Sequence, residues 1–168
     1  MTEGQLGLLL LLVVPVLWGL MWWGWRRRGR RQTDVATLPA VPDPLSPSVF
    51  GPAEAVYVST TRAGDWLDRV VVHGLGTRSA ADVSVHADGV LVRRSSAPDV
   101  WVPAAGLHGV RRERGAAGKF VREDGLVVLT WTLGDAHLDT ALRTRYDDDR
   151  DGLERAVRDL CEKEDVRG

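Results

Sequence analysis

The chain has a single cysteine, Cys161, in 168 residues. It therefore makes no intrachain disulfide and no zinc site built on several thiolates. Lysine is almost absent, with two against twenty arginines, a skew that points to codon bias in the source genome rather than to a function. Positive charge is outweighed outside the N-terminus. Met1 to Gln32 holds five arginines against Glu3, whereas Thr33 to Gly168 holds 17 basic and 22 acidic residues, a net of −5. Nucleic-acid binding needs clustered positive charge to neutralise phosphates, so DNA and RNA are excluded as expected partners.

One long run lacks charge altogether. Leu6 to Trp25 is apolar over 20 residues, which as a helix spans roughly 30 Å, the thickness of a bilayer core. The preceding Met1 to Gln5 has no basic residue and no small-residue cleavage site follows, so the run reads as an anchor rather than a cleaved signal. Arg26, Arg27, Arg28, Arg30 and Arg31 follow at once, and positive flanks favour the inside. Trp18, Trp22, Trp23 and Trp25 sit where indoles prefer the interface. The expectation is a single-pass plasma-membrane protein, N-terminus outside, C-terminal domain cytoplasmic, with the bilayer as one partner.

Gln32 to Glu54 carries five prolines without period 2 or 3.6, and reads as an extended spacer. From Ala55 short β-branched runs alternate with turn residues, the mark of antiparallel sheet. Val83 to His86 and Val90 to Arg93 flank Ala87-Asp88-Gly89, where Asp and Gly are expected to supply the positive φ of a hairpin. Val127, Leu129, Trp131 and Leu133 share one strand face, and Gly134-Asp135 turns into Ala136 to Arg143. Seven strands result: Val56–Thr61, Val83–His86, Val90–Arg93, Val100–Val102, Leu107–Arg112, Leu126–Leu133 and Ala136–Arg143. Leu153, Val157, Leu160 and Cys161 then form one helical stripe behind an acidic run that suits a helix N-terminus.

Seven strands and a closing helix is the element order of the pleckstrin-homology (PH)-like barrel. The phrases Asp65-Trp66-Leu67-Asp68-Arg69-Val70, His73-Gly74-Leu75-Gly76, Ala117-Gly118-Lys119 and Asp139-Thr140 resemble those of small actinobacterial single-pass membrane proteins with a PH-like domain. The resemblance implies an N-terminal transmembrane α-helix plus a β-rich (α+β) PH-like barrel of about seven antiparallel strands closed by a C-terminal helix. It supplies no catalytic residue and no cofactor. The basic motif of phosphoinositide-binding PH domains is absent, because Val83-Ser84-Val85-His86 carries no cation. Arg62, Arg69, Arg78 and Lys119 remain as candidates for an interaction surface.

Other motifs fail on inspection. Asp147, Asp149, Asp151 and Gly152 match the first half of a calcium loop, but Arg158 stands where a bidentate Glu belongs. Gly118-Lys119 lacks the first glycine and the hydroxyl of a P-loop, with Glu113 and Phe120 in those places. His73, His86, His108 and His137 have no HExxH or HxH spacing and read as isolated, solvated residues, and Cys161 packs as a small hydrophobe. The division is therefore 1–5 outside, 6–25 transmembrane, 26–54 linker and 55–168 PH-like domain. The expected function is a membrane-anchored, non-enzymatic interaction or scaffold module with no metal or cofactor, a protein partner and scope for self-association. The alternative is an accessory or regulatory subunit of a membrane transporter.

Overall fold

A computed structural model describes residues 13–16, 18–19, 21–22, 36–113, 115–116, 119–120 and 125–166. Within the unit Met1–Asp34 the described residues are helical, and Trp18 and Trp22 are exposed. A crossing needs about 20 apolar residues in one helix. No helix among the described residues is long and apolar enough to cross a membrane. The expected transmembrane helix over residues 6–25, with the plasma-membrane location drawn from it, is corrected on that finding. Trp23, Trp25, Arg26, Arg27, Arg28, Arg30 and Arg31 lie outside the described residues.

In the unit Val35–Gly168 the strands are β1 (Ser48–Arg62), β2 (Asp65–Arg69), β3 (Ser79–His86), β4 (Gly89–Arg94), β5 (Val100–Pro103), β6 (Leu107–Glu113), β7 (Gly115–Ala116), β8 (Lys119–Phe120), β9 (Leu126–Leu133) and β10 (Ala136–Thr144), followed by one helix, Asp147–Asp165. Eight strands form one sheet in the order β5-β4-β3-β1-β10-β9-β6, with β2 attached to β1, and β7 and β8 form a separate pair. Every pairing is antiparallel.

The expected closed barrel of seven strands is thus an open sheet of eight. The two ends of the ladder, β5 and β6, do not pair with each other. Strand β5 is four residues long and stops at Pro103, which has no N–H to extend the ladder, and a 3-10 turn at Ala104–Gly106 carries the chain away. The additional strand, β2, falls in the long segment between the first two expected strands. It pairs with β1 at only two positions. The proline-rich stretch also enters the sheet, since β1 begins at Ser48.

Alternation drives the packing elsewhere. Val83 and Val85 on β3, Val90 and Val92 on β4, Val127, Leu129 and Trp131 on β9, and Leu138 and Leu142 on β10 all reach one core. Leu153, Val157 and Leu160 of the helix join it, as the spacing predicts. Gly152 lets the helix approach β1 closely: a Cβ there would lie 2.5 Å from the Phe50 ring. Arg112 on β6 ties the helix down from outside, through Glu154 and, at 2.9 Å, Asp151. The helix starts at Tyr146 without a side-chain cap, and Asp147, Asp148 and Asp149 occupy the first turn, where the dipole favours negative charge.

Candidate functional site

The same alternation that turns Ala53, Ala55, Tyr57, Val83 and Val92 inward turns their neighbours outward and writes two rows across the outer face of β10, β1, β3 and β4. Glu54 stands opposite Asp82, and Asp82 opposite Arg93. Arg145 extends this row, its N–H donating to the Glu54 carbonyl at 2.9 Å and its guanidinium to the Glu54 carboxylate at 2.5 Å. In the second row Arg143 faces Val56 and Val56 faces Ala80, while Ser95 donates its N–H to the Ala80 carbonyl. A groove of about 680 Å³ lies over both rows, within the size range of ligand sites.

The electrostatics of the groove are mixed and incompletely neutralised. Glu54 and Asp82 are like charges directly opposite each other, an arrangement that costs stability in a sheet. Glu54 is answered by Arg145, but both side chains are more than half exposed, so the pair contributes little. Among the described residues the side chains of Asp82, Arg93 and Arg143 make no hydrogen bond or ion pair. The floor, Val56 and Ala80, is small and apolar. Such a surface can hold a chain carrying both signs of charge; no histidine, cysteine or lysine lines it.

Two further polar sets are bonded internally, apart from one buried guanidinium nitrogen of Arg94 that has no hydrogen-bond partner. On the outer face of β6, β9 and β10, Asp139 accepts from Arg111 at 2.9 and 3.1 Å, from Thr130 at 2.8 Å and from the Gly64 N–H at 3.3 Å. Burial pushes its carboxyl up, but these donors outweigh burial and hold it below the usual carboxylate range. In the core, Trp131 donates to Thr140, Thr140 meets Thr60, Thr60 meets the Tyr57 hydroxyl, and Tyr57 donates to the Leu75 carbonyl at 2.8 Å. Burial raises the Tyr57 hydroxyl to about 12. Arg94 stacks over the Tyr57 ring at 4.6 Å and donates to the Pro98 and Gly74 carbonyls. These sets pin strands together.

The four cations chosen from the sequence do not form one site on the main sheet. Arg62 ends β1 and pairs with Asp68 at 3.4 Å; Arg69 ends β2 opposite Thr61. Arg78 is exposed just before β3. Lys119 belongs to the separate β7–β8 pair, and its side chain is outside the described residues. The β1–β2 hairpin does expose Trp66 and Leu67. Arg93 lies 50 residues before Arg143 in the sequence, and only strand register unites it with Arg143 and Arg145. The signal was available in their alternation with buried Val92 and Leu142.

His86 also departs from expectation. It is 5 % exposed, held between the Ser84 hydroxyl at 2.9 Å and the Ser46 carbonyl at 2.6 Å. Trp131 is fully buried in the core, as its alternation predicts. Among the described residues no group of three or more His, Cys, Asp or Glu could hold a metal ion. Compared with known proteins, residues 35–160 match the family described as bacterial PH domain-like. No curated protein matches the chain.

Proposed function

We propose a non-enzymatic protein-interaction module, on the premise that this chain belongs to the bacterial PH domain-like family. The observation that carries the reading is the groove over β10, β1, β3 and β4, with Arg93 and Arg143 unpaired at its rim and Glu54 beside Asp82 between them. A polyanion of one sign, such as a nucleic acid or an anionic lipid surface, would engage the arginines that line the groove but leave Glu54 and Asp82, which it also meets there, without a cation. A polypeptide segment offers both signs at side-chain spacing, acids toward Arg93 and Arg143 and a base toward Glu54 and Asp82. It can thereby relieve the like-charge pair, and complementarity of this kind sets specificity and orientation more than raw affinity.

The test places a photo-crosslinking amino acid at Ala80, exposed on the groove floor, in the full chain expressed in cells. The expected result is a discrete protein adduct that disappears in the Arg93→Glu/Arg143→Glu double variant while the variant keeps its thermal stability. An adduct indifferent to that charge reversal, or crosslinking to lipid or nucleic acid instead, would remove the support for this reading.

A further inference from the structure

The sequence scatters its histidines, but the sheet brings two of them together. His137 on β10 stands opposite Thr132 on β9. On the far side of β9, Leu107 faces Trp131 and Gly109 faces Thr130, so the ladder contains one extra residue, His108. Bulges of this kind re-aim a side chain. Here the bulge leaves Leu107 buried while His108 is exposed on the outer face, its Nε2 3.3 Å from the Thr132 hydroxyl. The two imidazoles sit at 5.9 Å between ring centroids, tilted by 46°.

We propose that His108 and His137 together bind one late first-row divalent ion, Zn²⁺, Ni²⁺ or Cu²⁺, with water completing its coordination. The spacing fits. Imidazole nitrogens about 2.1 Å from a shared ion place ring centroids roughly 4.5 Å apart at a right angle and about 6.4 Å apart in line. Both side chains are exposed, so small rotamer adjustments suffice. The donor set selects the metal class, because imidazole suits these borderline ions whereas Mg²⁺ and Ca²⁺ require oxygen ligands. Asp139, one row away, is held by Arg111 and Thr130 and supplies no third ligand. The open positions leave the ion able to accept a donor from a partner. The site is independent of the Arg93–Arg143 groove.

The test is calorimetric titration of the untagged full chain with Zn²⁺, and separately with Ni²⁺ and Mg²⁺. The expected result is one Zn²⁺ and one Ni²⁺ per chain, no Mg²⁺, and affinity at least tenfold weaker in His108→Ala and in His137→Asn. His73→Asn, which keeps a residue tolerant of the left-handed backbone at that position (φ 56°), should bind as the parent does. Affinity unchanged in the His108 and His137 variants, or lost equally in His73→Asn, would overturn the assignment.

Discussion

Replacing Gly89 by alanine should be among the most damaging single-methyl changes in the sheet. Gly89 opens β4, pairs with His86 on β3 and with Pro103 on β5, and its φ is not positive. Its need for glycine is steric. A Cβ there would lie 2.6 and 2.8 Å from Cζ2 and Cη2 of the Trp101 ring and closer still to the Val102 carbonyl oxygen. Trp101 is itself only 3 % exposed and has little room to yield, and the carbonyl belongs to the ladder. Overpacking costs about 1–3 kcal/mol; a clash with backbone and a buried ring together places Gly89→Ala near the top, about 2–3 kcal/mol. The entropic gain of alanine over glycine in the unfolded chain, about 0.4–1 kcal/mol, offsets only part. Urea unfolding should show a lower midpoint at unchanged slope, and the melting temperature should fall by about 6–12 °C. Two companions discriminate. Gly89→Asn would be tolerated if the position needed a left-handed backbone, but here it should be at least as harmful as alanine. Gly109→Ala, where an added Cβ meets nothing within 4 Å, should be neutral or slightly stabilising. If Gly89→Ala unfolds like the parent, or if Gly89→Asn rescues it, the close-approach argument is wrong.

Tyr57→Phe should cost about 1–2 kcal/mol, because the Leu75 carbonyl and the Thr60 hydroxyl lose a buried partner. With the hydroxyl near 10 when unfolded and about 12 when folded, the unfolded chain releases its proton first as pH rises. The contribution is complete below pH 10 and drains away through about pH 12, so the parent should lose about 2–3 kcal/mol more than Tyr57→Phe across that window, measured by denaturant titration at each pH; parallel curves would refute it. Asp139→Asn should destabilise by about 1–3 kcal/mol at neutral pH by breaking the charge-assisted bonds to Arg111. Because its carboxyl is held below the usual range, its contribution is present above pH 4 and lost as pH falls through the folded value. The variant's stability should therefore decline less than the parent's on acidification, read by thermal melts between pH 7 and pH 2.

Strand alternation made most of the sheet legible. Val127, Leu129, Trp131 and Leu133 were placed on one face by period 2, and all four are buried. Leu153, Val157 and Leu160 followed from period 3.6 in the same way. The boundaries of β1 were not legible, because prolines and Gly51 suggest a spacer, yet the strand accommodates them through register shifts at Ser48/Phe50 and Phe50/Ala53. Barrel closure was equally out of reach, since whether β5 meets β6 depends on where a four-residue strand ends in space. Length and hydropathy alone suggested a spanning helix, and among the described residues no helix meets that demand.

Bulges explain why the polar sites were harder to read than the core. Strict alternation on β1 puts Tyr57 and Thr60 on opposite faces, because they are three residues apart. The register shift between Tyr57 and Ser59 against β10 inserts one residue and turns both inward, which allows Thr60 to bridge Tyr57 and Thr140. The shift between Leu107 and Gly109 does the complementary job on β6: it adds His108 to the outer face beside His137 and still leaves Val110 packed against the core. In each case one inserted residue lets a strand satisfy the apolar face and a polar arrangement together, which a regular period-2 ladder cannot do. The insertion shows in the sequence only as an odd spacing, Leu107 and Val110 both facing the core although three residues apart, which period 2 alone reads as opposite faces. The Tyr57–Thr60–Thr140 chain and the His108–His137 pair therefore lie where alternation breaks, whereas Arg93 and Arg143 keep it, and for all of them the pairing partner has to be known before they can be brought together.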